Sequence, residues 1–186
     1  MEKYNSMKTI EIPLSKTKIF LILALAVAGL IIGTLSTITP DTFITIMFRN
    51  PQTIRLGGIA SVLFCSAAVI YGIRKLFDER IGLKVDENGI TDNTNAVSVG
   101  LIDWTDITEI KTEQVRSIKF LLIFTSNPDK YLDRVGALQR KIMQANMLMY
   151  GTPLSISSNT LKYNFADLEK MILKYHKDQN KKMPNR

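Results

Sequence analysis

The sequence predicts a membrane-anchored α+β protein. A two-helix transmembrane hairpin leads into an antiparallel sheet or partial barrel, which carries a C-terminal helix and one extra long helix. Three observations predict it. Residues 19–38 form a run of twenty uncharged residues, which as a helix rising about 1.5 Å per residue covers roughly the 30 Å of a bilayer's hydrocarbon. Residues 56–73 form a second uncharged run of eighteen, long enough to cross back. Beyond Phe77 the hydrophobic period changes to that of short strands that follow one another without intervening helices, which argues for antiparallel pairing.

Of 186 residues, a hairpin over 19–75 leaves room for one soluble domain, expected over 76–178. Residues 1–18 are then a cytoplasmic leader and 179–186 a basic flexible tail. An eighteen-residue polar leader before twenty apolar residues favours an uncleaved anchor over a signal peptide, whose apolar core is shorter. The flanks carry Lys16 and Lys18 before the first run and Arg74, Lys75, Arg80 and Lys84 after the second, against only Arg49 and Arg55 in the connection. Lys and Arg bias flanks toward the cytoplasm, so both termini are expected inside, at the cytoplasmic (inner) membrane.

Within the runs, Gly29 and Gly33 stand four apart, and Gly57 and Ser61 repeat the interval. Such spacing lets helix backbones approach closely and suits either packing within the hairpin or a dimer face. Neither run holds an Asp, Glu, Lys, Arg or His, so nothing there suggests a proton relay or ion path. In the connection, Thr39, Pro40 and Asp41 signal a helix start, and Phe43, Ile44, Met47 and Phe48 would share one face of a short interfacial helix ending before Pro51.

In the soluble part, residues 81–85 and 90–92 flank the turn Asp86-Glu87-Asn88-Gly89, read as a hairpin whose Asn-Gly supplies positive φ. Val97, Val99 and Leu101 alternate toward Trp104, residues 107–115 are strand-like, and residues 120–124 are a continuous apolar run of the kind a central strand shows. Asn127, Pro128 and Asp129 open a helix that Gly151 and Pro153 end. Tyr131, Val135, Leu138, Ile142, Ala145 and Met149 make one stripe on it. Residues 154–157 and 160–163 return to strand character, and Asn164 caps a final helix with Phe165, Leu168, Ile172 and Tyr175 on one face.

The soluble part resembles bacterial pleckstrin-homology-like (PH-like) domains. The whole chain resembles a bacterial family of two-transmembrane-helix proteins that bear such a domain at the C-terminus. The resemblance rests on Arg74-Lys75-Leu76-Phe77-Asp78, Gly82-Leu83, Gly89-Ile90, Asp92-Asn93, Val99-Gly100-Leu101-Ile102-x-Trp104-x-Asp106-Ile107, Asn127-Pro128 and Gly151-Thr152-Pro153-Leu154. These are scaffold positions; they imply a fold and a place, with no activity or ligand attached.

Chemistry is sparse. Cys65, the single cysteine, lies in the second apolar run, which excludes an intramolecular disulfide and a cysteine metal cluster. His176, the single histidine, falls near a helix end, where its charge complements the dipole. Asp103 and Asp106, three apart on a strand, are expected to face opposite ways. No catalytic residue, metal site or cofactor is expected, and Trp104 reads as a core anchor. The net charge of +7 concentrates next to the membrane and in the tail, without the aromatic interleaving of a nucleic-acid face.

Two function classes remain. One is a non-enzymatic interaction or scaffold module that meets the lipid bilayer and another membrane or cytoplasmic protein, with Leu138, Ile142 and Met149 as its partner face. The other is an anionic-lipid sensor that reads headgroups with Arg74, Lys75, Arg80 and Lys84.

Overall fold

The computed structural model describes residues 8–45 and 49–182. In chain order it has β1 (Ile10–Ile12), α1 (Lys16–Ile38), a 3₁₀ turn (Pro40–Phe43), α2 (Pro51–Leu76), β2 (Leu83–Val85), β3 (Gly89–Asp92), β4 (Gly100–Asp103), a second 3₁₀ turn (Trp104–Asp106), β5 (Ile107–Val115), β6 (Ile118–Thr125), α3 (Pro128–Leu132), α4 (Ala137–Tyr150), β7 (Leu154–Ser157) and α5 (Phe165–Lys182). The architecture is α+β, with two long apolar helices and two antiparallel sheets. The chain divides into two compact units, Lys16–Asp78 and Met1–Ser15 together with Glu79–Arg186.

The helical unit is an antiparallel pair, and α1 and α2 are each long and apolar enough to cross a membrane. Their contacts run Leu23 to Gly72, Gly29 to Cys65, Gly33 to Ser61 and Thr37 to Gly58. A Cβ on Gly58 would lie 2.6 Å from Thr37 Oγ1 and 2.8 Å from the Gly33 carbonyl oxygen, and one on Gly29 would lie 2.7 Å from Cys65 Sγ. These glycines are therefore demanded by close approach of the two helices. Gly33 and Ser61 take the expected packing role, and Ser61 Oγ also donates to the Gly29 carbonyl at 3.2 Å. Gly57 does not, because a Cβ there would meet nothing within 4 Å; its neighbour Gly58 faces α1 instead. Pro51 opens α2 behind an Asn50 cap that accepts from Gln52 N–H. The interfacial helix of the connection reduces to Pro40–Phe43, with Ile44 exposed, and Met47 and Phe48 lie outside the described residues.

The second unit has a four-stranded sheet, β1-β2-β3-β4, and a three-stranded sheet, β5-β6-β7. Its first strand comes from the stretch expected to be a leader. Ile10 pairs with Val85 and Ile12 with Leu83, so the helical unit is an insertion in the β1–β2 connection. Past β1 the chain keeps pairing: Leu14 bridges Leu161, Ser15 N–H donates to the Thr160 carbonyl at 2.7 Å, and Lys162 N–H donates to the Pro13 carbonyl at 3.0 Å. Those bonds replace the strand expected over 160–163. They also stitch the first sheet to the segment that follows β7.

The core is built from Leu83, Val85, Ile90, Ile102, Ile107, Leu121, Ile123 and Ile156, with Leu168 and Ile172 of α5 buried as well. In β2 and β4 the core residues alternate with more exposed neighbours, as the two-residue period requires, whereas in β6 Leu122, between Leu121 and Ile123, is buried as well. α5 runs to Lys182, further than expected, so the predicted flexible tail begins as helix. Gln179 near its end is buried and donates to the Glu87 carbonyl at 3.1 Å.

The β2–β3 hairpin forms where expected but not by the expected means. Among the described residues positive φ occurs at Arg116, Gly100 and Gly151 alone. The Asp86 carboxylate instead accepts the Asn88 and Gly89 amides at 2.9 and 3.3 Å, a side-chain turn that needs no left-handed residue. Gly89 is required by proximity, since a Cβ there would fall 2.1 Å from the Ile102 carbonyl oxygen on β4.

Candidate functional site

Trp104 is 2% exposed, and its indole N–H donates to the Asp86 carbonyl at 2.8 Å, which ties the second 3₁₀ turn to the β2–β3 hairpin. His176 of α5 stacks on it with ring centroids 6.2 Å apart. Trp104 is part of the core, and His176 lies half-buried against it, inside α5 and not at its end as the sequence suggested.

Asp103 and Asp106 come together, contrary to the expectation for a strand. The 3₁₀ turn Trp104–Asp106 has three residues per turn, so positions three apart eclipse. Both carboxylates accept from Lys130 Nζ of α3 at 2.6 Å, and the Tyr131 hydroxyl donates to Asp106 at 2.7 Å. Burial pushes the Asp106 carboxyl up, but the Lys130 and Tyr131 bonds outweigh it and its pKa ends below the ordinary carboxylate range. Burial, and then the Asp106 bond, push the Tyr131 phenol up to about 12. A Lys held by two carboxylates stays protonated and a phenol so placed stays neutral, so neither is available as a base at neutral pH. The cluster clamps α3 against β4. Arg134 completes it by donating to the Leu101 carbonyl at 2.8 Å, while Asp103 N–H donates to the Tyr131 hydroxyl at 3.3 Å. The open edge of β4 is thereby covered.

The four cations proposed for headgroups are not equivalent. Lys75 is 5% exposed and pairs with Asp78 at 3.2 Å. Lys84 pairs with Asp86 at 2.9 Å. Arg74 and Arg80 are exposed, and they belong to different units. Among the described residues no group of three or more His, Cys, Asp or Glu could hold a metal ion.

The extra helix differs most from its sequence reading. It breaks at 133–136: Asn127 caps α3 by accepting from Lys130 N–H, and Gly136 begins α4 with no side-chain cap. The break lets the two halves turn independently, so the predicted stripe splits. Tyr131 is buried, whereas Leu138 is 75% exposed, Met149 64% and Ile142 44%. α4 docks by another face, through fully buried Met143, the Gln139 side-chain amide donating to the Ser98 carbonyl at 3.1 Å, and Tyr150 set edge-on to Phe120 at 5.5 Å. Leu138, Ile142, Ala145 and Met149 therefore line its outward side, with Leu148 exposed beside them. Ile142 also borders an open groove of about 380 Å³ over the outer face of the second sheet, floored by Ile118, Phe120 and Leu122. No charged residue lines it. What distinguishes this surface is contiguous apolar area on a helix that its own domain does not cover. The stripe was visible in the sequence; its outward direction was not, because periodicity fixes a face and leaves open which way that face turns.

Comparison with protein families, curated proteins and solved structures finds no match to this chain.

Proposed function

We propose that the protein is a non-enzymatic interaction module: a PH-like domain held at the cytoplasmic face of a membrane by an inserted two-span hairpin, with the outward stripe of α4 as its partner face. The observation that carries the reading is that stripe, where Leu138 and Met149 face away from the domain and Ile142 stands exposed at the mouth of the groove, while Met143 alone of the helix is buried. The PH-like assignment is supported by four strands, then three, then a closing C-terminal helix, with α3 and α4 inserted between β6 and β7. Membrane attachment is supported by the length and apolarity of α1 and α2. Connectivity supports the sidedness: the hairpin leaves and re-enters the sheet at the paired residues Ile12 and Leu83, so both flanks must lie on one side of any bilayer it crosses. The Lys and Arg flanks favour the cytoplasm as that side.

Replacing Leu138 and Ile142 together by serine tests the reading. Exposed positions carry little of the domain's stability, so the melting temperature of the purified chain should stay unchanged while its association with other proteins in gently solubilised membranes is lost. A large fall in melting temperature, or unchanged association, would reject it.

A further inference from the structure

Near the end of α1 and the start of α2 the two helices leave a cleft of about 280 Å³, walled by Ile32, Gly33, Ser36, Phe43, Ile54 and Gly57. Gly57 keeps it open, since a Cβ there would meet nothing within 4 Å. Ser36 is 8% exposed, and its hydroxyl opens on this cleft with no hydrogen-bond partner among the described residues. The other hydroxyls of this stretch are satisfied within the helix. Thr34 donates to the Leu30 carbonyl and Thr37 to the Gly33 carbonyl, both at 2.8 Å, and Thr39 to the Leu35 carbonyl at 3.0 Å. Ser36 makes no such bond, and a hydroxyl held in apolar surroundings without a partner is costly. An acceptor from outside the chain would satisfy it.

We propose that this cleft binds a membrane glycerophospholipid, with part of one acyl chain lying in it and the ester carbonyl accepting from Ser36 Oγ. This rests on the reading of the hairpin as membrane-spanning. Size selects a chain over a helix. The cleft equals about nine waters at roughly 30 Å³ each, which suits a stretch of hydrocarbon, whereas a helix with its side chains is about 10–12 Å across and too wide to enter. Depth selects the ester. Ser36 stands two residues before the end of α1, about 3 Å of rise, so the hydroxyl lies where hydrocarbon gives way to the headgroup region. No charged residue lines the cleft, as an acyl chain requires. Arg49 and Arg55, both exposed around the start of α2, favour an anionic phosphate above it.

The same helix pair supplies a control. A second cleft, of about 220 Å³, is lined by Thr34, Thr37, Ile38, Ile59, Val62 and Leu63. Its two hydroxyls are those already bonded to carbonyls of α1. It offers hydrocarbon a place to lie but no free donor to hold an ester.

The test uses the purified full chain. It is reconstituted in vesicles of phosphatidylcholine and phosphatidylglycerol with a trace of phosphatidylglycerol that carries a photoreactive diazirine on its acyl chain. After irradiation, adducts are mapped by mass spectrometry. Adducts on Ile32, Phe43 and Gly57 should exceed those on Ile38, Val62 and Leu63 several-fold. In parallel, native mass spectrometry in detergent follows the binding of unmodified phosphatidylglycerol. Ser36→Ala should weaken it roughly threefold to tenfold, the worth of one hydrogen bond, and Gly57→Leu, which fills the cleft without reaching α1, should abolish it. Should Gly57→Leu fold poorly, Ser36→Ala, which removes a single oxygen, decides alone. Equal labelling of the two clefts would mean lipid that merely surrounds the helices and would overturn the site while leaving the membrane reading intact. Binding unchanged in Ser36→Ala would overturn it as well. Absence of adducts anywhere on α1 and α2 would reject both the site and the membrane reading.

Discussion

Excising the hairpin should leave a domain that folds only with its first strand. Consider a chain in which a short Gly-Ser linker joins Ser15 to Glu79, compared with one that begins at Glu79. The second loses Ile12 and Leu14, which are 3% and 4% exposed and sit against the β2 side of the sheet and the Leu161 bridge. Burying each side chain contributes about 1.5–3 kcal/mol, so their loss costs roughly 3–6 kcal/mol. The broken β1–β2 pairing and the lost Ser15 and Lys162 backbone bonds add to that. Against a usual total of about 5–15 kcal/mol, the truncated chain should be marginal or unfolded. Urea unfolding followed by the fluorescence of Trp104, the single tryptophan, reads the difference. Equal stabilities within about 1 kcal/mol, a spread ordinary for a surface change, would show that β1 is not part of the fold and would remove the structural basis for the hairpin as an insertion.

Three further outcomes are expected. Trp104→Ala should destabilise the linker-joined domain by about 3–5 kcal/mol, whereas Trp104→Phe should cost less, chiefly the indole bond to the Asp86 carbonyl; equal losses would mean that the hydrogen bond alone carries the contribution and that ring packing does not, against the reading of Trp104 as a core anchor. Gly58→Leu should push α1 and α2 apart and lower the melting temperature of the full chain, while Gly57→Leu should leave it unchanged, since a Cβ at Gly57 meets nothing within 4 Å. Because the folded pKa of Asp106 is depressed, its contribution is present above the ordinary carboxylate pKa and is lost as pH falls through the lowered value. Lys130→Met removes the principal cause of the depression, so acid unfolding should begin at higher pH in that variant, measured by circular dichroism across an acid titration; an unchanged acid limb would contradict the clamp.

Much of the architecture was legible because its causes are local. Uncharged runs long enough to cross a bilayer, the Asn127 and Asn164 caps, and Gly151 in the left-handed C-cap position each state their structure within a few residues. What escaped depends on distant partners. Ile10 to Ile12 is too short and too isolated to announce a strand, and it becomes one only because β2 pairs with it, while residues 13–15 just beyond it bond to the 160–162 segment. Asp103 and Asp106 meet because a 3₁₀ turn interrupts the strand pattern at Trp104, and the cation that joins them arrives from α3. The long helix breaks at Gly136, which precedes α4, although the apolar spacing of the stripe continues across it. Of the surface cations, composition could count them but could not say that Lys75 and Lys84 already face Asp78 and Asp86.

The claim on which the rest depends is that the hairpin spans a membrane while β1 and the remaining soluble unit share its cytoplasmic side. Single cysteines at Lys8, Asp41 and Asn159, all exposed positions, placed in the Cys65→Ala background and challenged in intact cells with a membrane-impermeant thiol reagent, test it directly. Only Asp41→Cys should be labelled from outside, with Lys8→Cys and Asn159→Cys reacting after the cells are opened. Labelling of Lys8→Cys or Asn159→Cys in intact cells, or protection of Asp41→Cys, would contradict it.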